Sequence, residues 1–330
     1  MTQRSLAAAV EEMLLIPTYA SARPFAPVVA HRALALPLQL SGRIHHWSAP
    51  GSGGIRIVGI GRHKQLEQFC RGLVGEVVPA DGGQRSGLLN PARLEACEGD
   101  IVVAGVHRWM ADRFRRAGWL IVPTAVRWSG ILASIPPTTM PRGLRENLNK
   151  IRKHGFTMEQ TSSRESWDEF FSRMVVPHAR ERHGSSSWVP SIRFLRKLEQ
   201  IATLHMILQG GRRVAGACTV ARGATVWLPL MGVRDGDPAL LRQGAAVATL
   251  ALPLQWAKEQ GFHRVDAGRT SPFLTDGIHR YKRNWGMTPM PDPLAQVIAV
   301  RPRTSIGRKV FTETPVLVER GSGLETFSGH

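Results

Sequence analysis

Cysteine is scarce in this chain, and so is tyrosine. Three cysteines in 330 residues (Cys70, Cys97 and Cys218) are odd in number and far apart. They give neither a disulfide framework nor metal-ligand spacing, and the expectation is no metal and a reducing compartment, the cytoplasm. Long apolar runs are also missing. The stretch Ala245–Leu254, interrupted by Thr249, falls well short of the roughly 18 residues of a membrane span. Near the N-terminus Glu11 and Glu12 precede Met13-Leu14-Leu15-Ile16, which makes a poor signal peptide. Acidic residues are few, 25 against 43 basic ones, for a net charge of +18. Apolar content of 43% is close to the globular norm and excludes disorder for most of the chain.

The positive charge is almost entirely arginine, since only 7 of the 43 basic residues are lysine. It clusters in the longer part after Ile135. Arg142, Arg145, Lys150, Arg152 and Lys153 face only Glu146, and Arg180, Arg182, Arg193, Arg196 and Lys197 face only Glu181. Arg269, Arg280, Lys282 and Arg283 form a third group. Such fields steer phosphate-rich partners, RNA or a phosphorylated cosubstrate. An arginine-biased genome and a solvated surface produce the same composition, and no zinc finger, helix-turn-helix or aromatic RNA-binding motif accompanies it.

Along the chain, Ile55–Ile60 alternates as a strand and is followed by a helical pattern to Leu73. Gly59-Ile60-Gly61 hints at a dinucleotide loop but lacks the third glycine and the later acidic ribose contact, so an oxidoreductase reading is set aside. Strands are expected at Asp100–Val106 and Trp119–Val126 with a helix at Arg108–Arg116 between them. Pro136-Pro137 marks a boundary. Leu144, Leu148 and Ile151 give the next helix an apolar stripe under a basic back. A short strand to Gln160 leads to Ser162-x-x-Glu165, a capping-box spacing, and a further helix is expected from Pro190.

Three strands, Thr203–Gln209, Arg213–Val220 and Thr225–Val233, are separated by Gly210-Gly211 and Arg222-Gly223 and read as an antiparallel meander. One long helix, about Pro238–Gln260 with a kink at Pro253, precedes a strand at His263–Ala267. Ala295–Val300 is expected as the last strand, and the tail from Arg301 as loosely ordered.

From Phe156 to Val300 the order is strand, two helices, three antiparallel strands, long helix, strand, short helix, strand. That order resembles the GNAT acyltransferase superfamily, most closely the branch of Fem-type aminoacyltransferases and CelD-like acyltransferases. The resembling residues are Val214-Ala215-Gly216-Ala217, Asp266-Ala267-Gly268 and Gly277-Ile278-His279-Arg280-Tyr281-Lys282-Arg283-Asn284-Trp285-Gly286. The last looks like that family's "aromatic, Lys, two residues, aromatic, Gly" element. The resemblance implies an α/β (α+β) fold of tandem GNAT-like domains, with mixed, mostly antiparallel sheet flanked by helices. It divides the chain into a degenerate GNAT-like domain (1–135), a basic linker helix (136–155), a catalytic GNAT-like domain (156–300) and a C-terminal tail (301–330).

The implied activity is transfer of an aminoacyl or acyl group to an amine-type acceptor. No Gly-x-Ser-x-Gly elbow, Cys/His pair or His-x-x-x-His motif occurs, so direct attack without a covalent enzyme intermediate fits better. The donor cosubstrate is aminoacyl-tRNA or acyl-CoA, with no tightly bound cofactor, and backbone groups around Leu228–Val233 would hold it. Acetyl-CoA users carry Arg or Gln, two residues, Gly, one residue, then Gly or Ala where the long helix starts. Here Leu241-Arg242-Gln243-Gly244-Ala245-Ala246 has leucine in the first slot, which tilts the reading toward tRNA. Candidate catalytic residues are Lys282, Tyr281 and Asp266. Donor contacts fall on Arg242, Gly244, Ala246, Arg269, Ser271 and Arg283, and acceptor contacts on His178, Arg182 and Trp285, with a cell-envelope or small-molecule amine as acceptor. A non-catalytic RNA-binding or scaffold protein retaining the fold is the alternative.

Overall fold

Successive residues of a strand point to opposite faces, so an uninterrupted apolar strand requires cover on both sides. Ile101–Val106 meets that requirement in the computed structural model, which describes residues 41–61, 63–81, 85–88, 90–183 and 189–330. Ile101 and Val103 enter one core with Trp47, Ile57, Leu66 and Phe69. Val102, Ala104 and Val106 enter another with Met110, Phe114 and Trp119.

The described chain forms two compact units. The first takes in residues 41–127, 269–281 and 289–330. Its strands are β1 (Ser41–Ala49), β2 (Ile55–Gly61), β3 (Val78–Asp81), β4 (Arg85–Leu88), β5 (Ile101–Val106), β6 (Leu120–Pro123) and β14 (Val297–Pro302). They form one sheet in the order β3-β1-β2-β5-β14-β6, with β4 also on β1. Helix α1 (His63–Val74) follows β2, which pairs parallel with β5, and α2 (Ala111–Arg116) lies between β5 and β6. Gly59 is a packing device rather than part of a dinucleotide loop: a Cβ there would clash with the Trp47 indole across the β1–β2 ladder.

The second unit takes in residues 128–268 and 282–288. Its sheet runs β13 (Thr288–Pro291), β7 (Val126–Ile131), β12 (Arg264–Thr270), β11 (Thr225–Val233), β10 (Arg212–Arg222), β9 (Ala202–Gln209), β8 (Phe156–Thr161). Strands β9 to β11 are the expected antiparallel meander, and β8 adds to it antiparallel on β9. One face is covered by α4 (Arg164–Glu169), a π-turn at Phe170–Val175, α5 (Val176–His183) and α6 (Ile192–Glu199), which bury Trp167, Phe170, Leu195 and Leu198 against Leu204, Met206 and Cys218. His205, between Leu204 and Met206, points the other way, toward Trp256. That side carries α8 (Ala245–Glu259) and α3 (Arg142–Lys153).

Several expectations change. The strand expected at Trp119–Val126 is two strands, β6 and β7, in different sheets, divided after Pro123. The strand expected to close the 156–300 domain is β14, and it pairs antiparallel with β5 and β6 in the first unit. The 136–155 segment is not a separate linker, because α3 belongs to the second unit, with Leu144 and Ile151 buried.

The tail is ordered as α10 (Ser305–Glu313), β15 (Val316–Arg320) and β16 (Gly323–Phe327). Phe311, Val316, Val318 and Phe327 complete the core under Trp47 and Ile57. The cap of α4 falls one residue later than the spacing implied, with the Ser163 hydroxyl accepting from Ser166 N–H. Helix α6 starts two residues later than Pro190, at Ile192, with Ser191 as its cap. The long helix breaks at Gly244, whose φ of +104° is left-handed, into α7 (Pro238–Gln243) and α8, while Pro253 stays inside α8. What was read for residues 1–40 lies outside the described residues.

Candidate functional site

Strands β11 and β12 run parallel but share a ladder only from Thr225–Arg264 to Trp227–Asp266. Beyond that point β11 continues to Val233, still paired with β10 on its other edge. Along Leu228–Val233 the edge of β11 that faced β12 therefore has no ladder. Backbone N–H and C=O groups freed in this way must find other partners, and an extended ligand arm can supply them. This is where the sequence resemblance placed the donor.

Asp266 stands at the point of divergence and is 2% exposed. Its Oδ1 accepts from Gly268 N–H at 3.0 Å, and its Oδ2 lies 3.8 Å from Nη1 of Arg222. The Arg222 guanidinium in turn lies 4.8 Å from the Trp227 ring centroid, within cation–π range. The carboxylate thus fixes the turn that takes Gly268 to a left-handed φ of +75°. The turned Gly268 carbonyl accepts from Lys282 Nζ at 3.5 Å. Lys282 is 9% exposed and sits on α9 (Gly277–Asn284). Asp266, Gly268 and Lys282 are therefore one connected cluster, and the sequence singled out both of its charged members.

A second feature of the same unit is the start of α8. The N–H groups of Val247 and Ala248 return to Gly244 O at 3.0 and 2.9 Å. Those of Ala245 and Ala246 come too early in the helix to have an acceptor within it. A Cβ on Gly244 would stand 3.2 Å from Lys150 Cβ, so the basic helix α3 crosses here and brings half-buried Lys150 beside this helix end. Arg242 is exposed just before it. Two N–H groups, a helix dipole and two cations favour an anion at this position.

The remaining candidates have separate surroundings. Arg269 is ion-paired with the buried Asp292, and Ser271 Oγ donates to Asp276 Oδ2 at 3.0 Å, both within the first unit. Tyr281 is half-buried and Arg283 exposed. His178 is half-buried on α5, and Arg182 lies on the same helix with its side chain outside the described residues. Trp285 is 1% exposed, which corrects its proposed contact with acceptor: an indole so covered is a core side chain. The Arg222–Trp227–Asp266 contact was not foreseen, because strand pairing, not local pattern, brings Trp227 opposite Asp266. Among the described residues no group of three His, Cys, Asp or Glu side chains lies together as a metal site, and no helix is long and apolar enough to cross a membrane.

Residues 140–283 match the family model described as the acetyltransferase (GNAT) domain, a span that contains Gly244, Asp266 and Lys282. No curated protein matches the sequence. Among solved structures, L-PGS from Bacillus licheniformis is similar at 14% identity and a TM-score of 0.42, covering 86% of this chain and 94% of its own. FemX is similar at 12% identity and a TM-score of 0.41, covering 62% and 73%. A GCN5-related N-acetyltransferase from Sphaerobacter thermophilus is similar at 14% identity and a TM-score of 0.32, covering 74% and 72%. Residues 140–283 are thus similar to a GNAT acetyltransferase domain.

Proposed function

We propose that the protein is an N-acyltransferase of the Fem/CelD-like branch that moves an aminoacyl or acyl group from a phosphate-bearing donor to an amine. The parting of β11 and β12 at Trp227 and Asp266 is the observation that carries this reading. The donor's phosphate is held at the start of α8 by Ala245 and Ala246 N–H, with Lys150 and Arg242 supplying charge. Its acyl arm lies along the bare edge of Leu228–Val233. The acceptor amine attacks the carbonyl carbon, the bond to the donor's oxygen or sulfur breaks, and the amine loses a proton as the leaving group gains one. Lys282 neutralises the oxyanion or a donor phosphate. Tyr281 is the leaving-group acid in this reading, and Asp266 is a positioning residue that holds Gly268 and, through its carbonyl, Lys282.

The donor is aminoacyl-tRNA in preference to acyl-CoA, because Leu241 occupies the slot where CoA users place Arg or Gln. Arg283 reaches the same donor, the acceptor is a small-molecule or cell-envelope amine near His178 and Arg182, and the setting is the cytoplasm. Titration with aminoacyl-tRNA and acetyl-CoA at about 50 and 200 mM salt tests the choice. Binding of tRNA that weakens at least about tenfold across that range, without CoA binding, is expected, whereas saturable CoA binding with no tRNA binding would sink it. Lys282→Met is expected to lower kcat by about 10²-fold or more with an unchanged melting temperature. Unaltered turnover in that variant would remove the residue from the mechanism.

A further inference from the structure

The first unit contains a cleft of about 380 Å³ that none of the proposed catalytic side chains lines. Three guanidiniums face it, Arg301 and Arg303 from the end of β14 and Arg308 from α10, against a single carboxylate, Glu95. Leu120 and Phe327 contribute apolar surface.

The arginines are not equivalent. Arg301 uses Nη1 on the carbonyls of Ala117 (3.2 Å) and Gly118, and its Nη2 lies 3.9 Å from Glu95. Arg303 uses Nη1 on the carbonyls of Glu95 and Cys97, the latter at 2.6 Å. Both are thereby held in one orientation through Nη1, and the N–H donors of their forks that make no hydrogen bond among the described residues remain available to a ligand. Arg308 is exposed and makes no ion pair among the described residues.

A guanidinium already fixed by carbonyls loses little further freedom on binding an anion. Three cations opposite one carboxylate leave a surplus of two positive charges, matching a phosphate monoester dianion better than a single carboxylate. A bare ion would leave most of the volume unfilled, and pockets of this size take small organic molecules. The geometry points to a binding site for a small phosphate monoester, its phosphoryl oxygens on Arg301, Arg303 and Arg308 and its carbon body on Phe327 and Leu120. The site is independent of the donor position at α8.

Calorimetric titration of the full chain with phenyl phosphate, inorganic phosphate and phenol, at constant ionic strength set with chloride, tests this. Phenyl phosphate is expected to bind saturably and more tightly than inorganic phosphate, and phenol not at all. Arg308→Gln, which removes an exposed side chain without an ion-pair partner among the described residues, is expected to weaken phenyl phosphate by about tenfold. Phe327→Leu is expected to narrow the gap between the two phosphates, and Lys309→Gln, an exposed cation on the same helix as Arg308 but outside the cleft lining, to leave both unchanged. Unaltered binding in Arg308→Gln would overturn the assignment, as would an equal loss of binding in Lys309→Gln. Tighter binding of a short single-stranded RNA through the same arginines would also overturn it, making the cleft a polyanion contact.

Discussion

His205 offers a quantitative test of how the second unit is built. It lies on β9 with no exposure, its Nε2 is 2.8 Å from the Thr219 hydroxyl, and its ring centroid is 4.7 Å from that of Trp256. Burial pushes its pKa from 6.5 down to about 4, so the folded chain holds the imidazole neutral. Below about pH 6.5 the unfolded chain takes up the proton and the folded chain does not, so stability falls as pH drops and the full penalty is reached below about pH 4. A shift of about 2.5 units corresponds to a limit of about 3 kcal/mol, of which about 2.5 kcal/mol is already lost by about pH 4.5. That is a large share of the ~5–15 kcal/mol that keeps an ordinary domain folded. His205→Gln removes the titration while leaving an amide for Thr219. Urea unfolding of both proteins at about pH 7 and about pH 4.5 should show the parent losing about 2.5 kcal/mol more than the variant. Any uniform cost of the substitution cancels in that difference. Equal losses would refute the claim that this histidine is buried and neutral.

Two further outcomes follow from the described contacts. Asp266→Asn keeps an acceptor for Gly268 N–H but removes the charge opposite Arg222, and Asp266→Ala removes both. Both variants should unfold more easily, by about 1 kcal/mol for the lost charge beside the half-buried Arg222, and the alanine variant by about 1 kcal/mol more for the lost turn bond. Denaturant midpoints measure this, and an alanine variant as stable as the asparagine variant would remove the Gly268 bond from the argument. Burial raises the Cys70 and Cys218 thiols to about 12, whereas Cys97 is half-buried, its thiol raised by burial and lowered in part by Arg303. A thiol reagent should therefore modify one cysteine in the native protein and all three in urea, as counted by mass spectrometry.

Much of the architecture was legible before any coordinates. The meander from Thr203 to Val233 was readable because Gly210-Gly211 and Gly223 punctuate apolar strands, and a left-handed φ at such turns is cheap only for glycine. The placement of Asp266 on a strand and of Lys282 on a short helix after it was readable through the order of elements around them. Arg303, by contrast, looked like part of a loose tail, yet it pins the carbonyls of Glu95 and Cys97. Nothing local to position 303 encodes partners some two hundred residues away.

The sequence by itself determined the three strands of the meander, the strand at Ile55–Ile60 and where an excess of guanidinium charge must be accommodated. These follow from periodicity and composition, which are properties of consecutive residues. Only the tertiary structure decided that β14 joins β5 and β6 while β7 joins the meander sheet, because ladders are made by backbone groups that are the same in every residue. The tertiary structure likewise decided that Gly59 makes room for Trp47, that Gly244 breaks the long helix beside Lys150, and that Asp266 faces Arg222. Each depends on a contact between distant residues, which packing selects from many that the same sequence pattern allows.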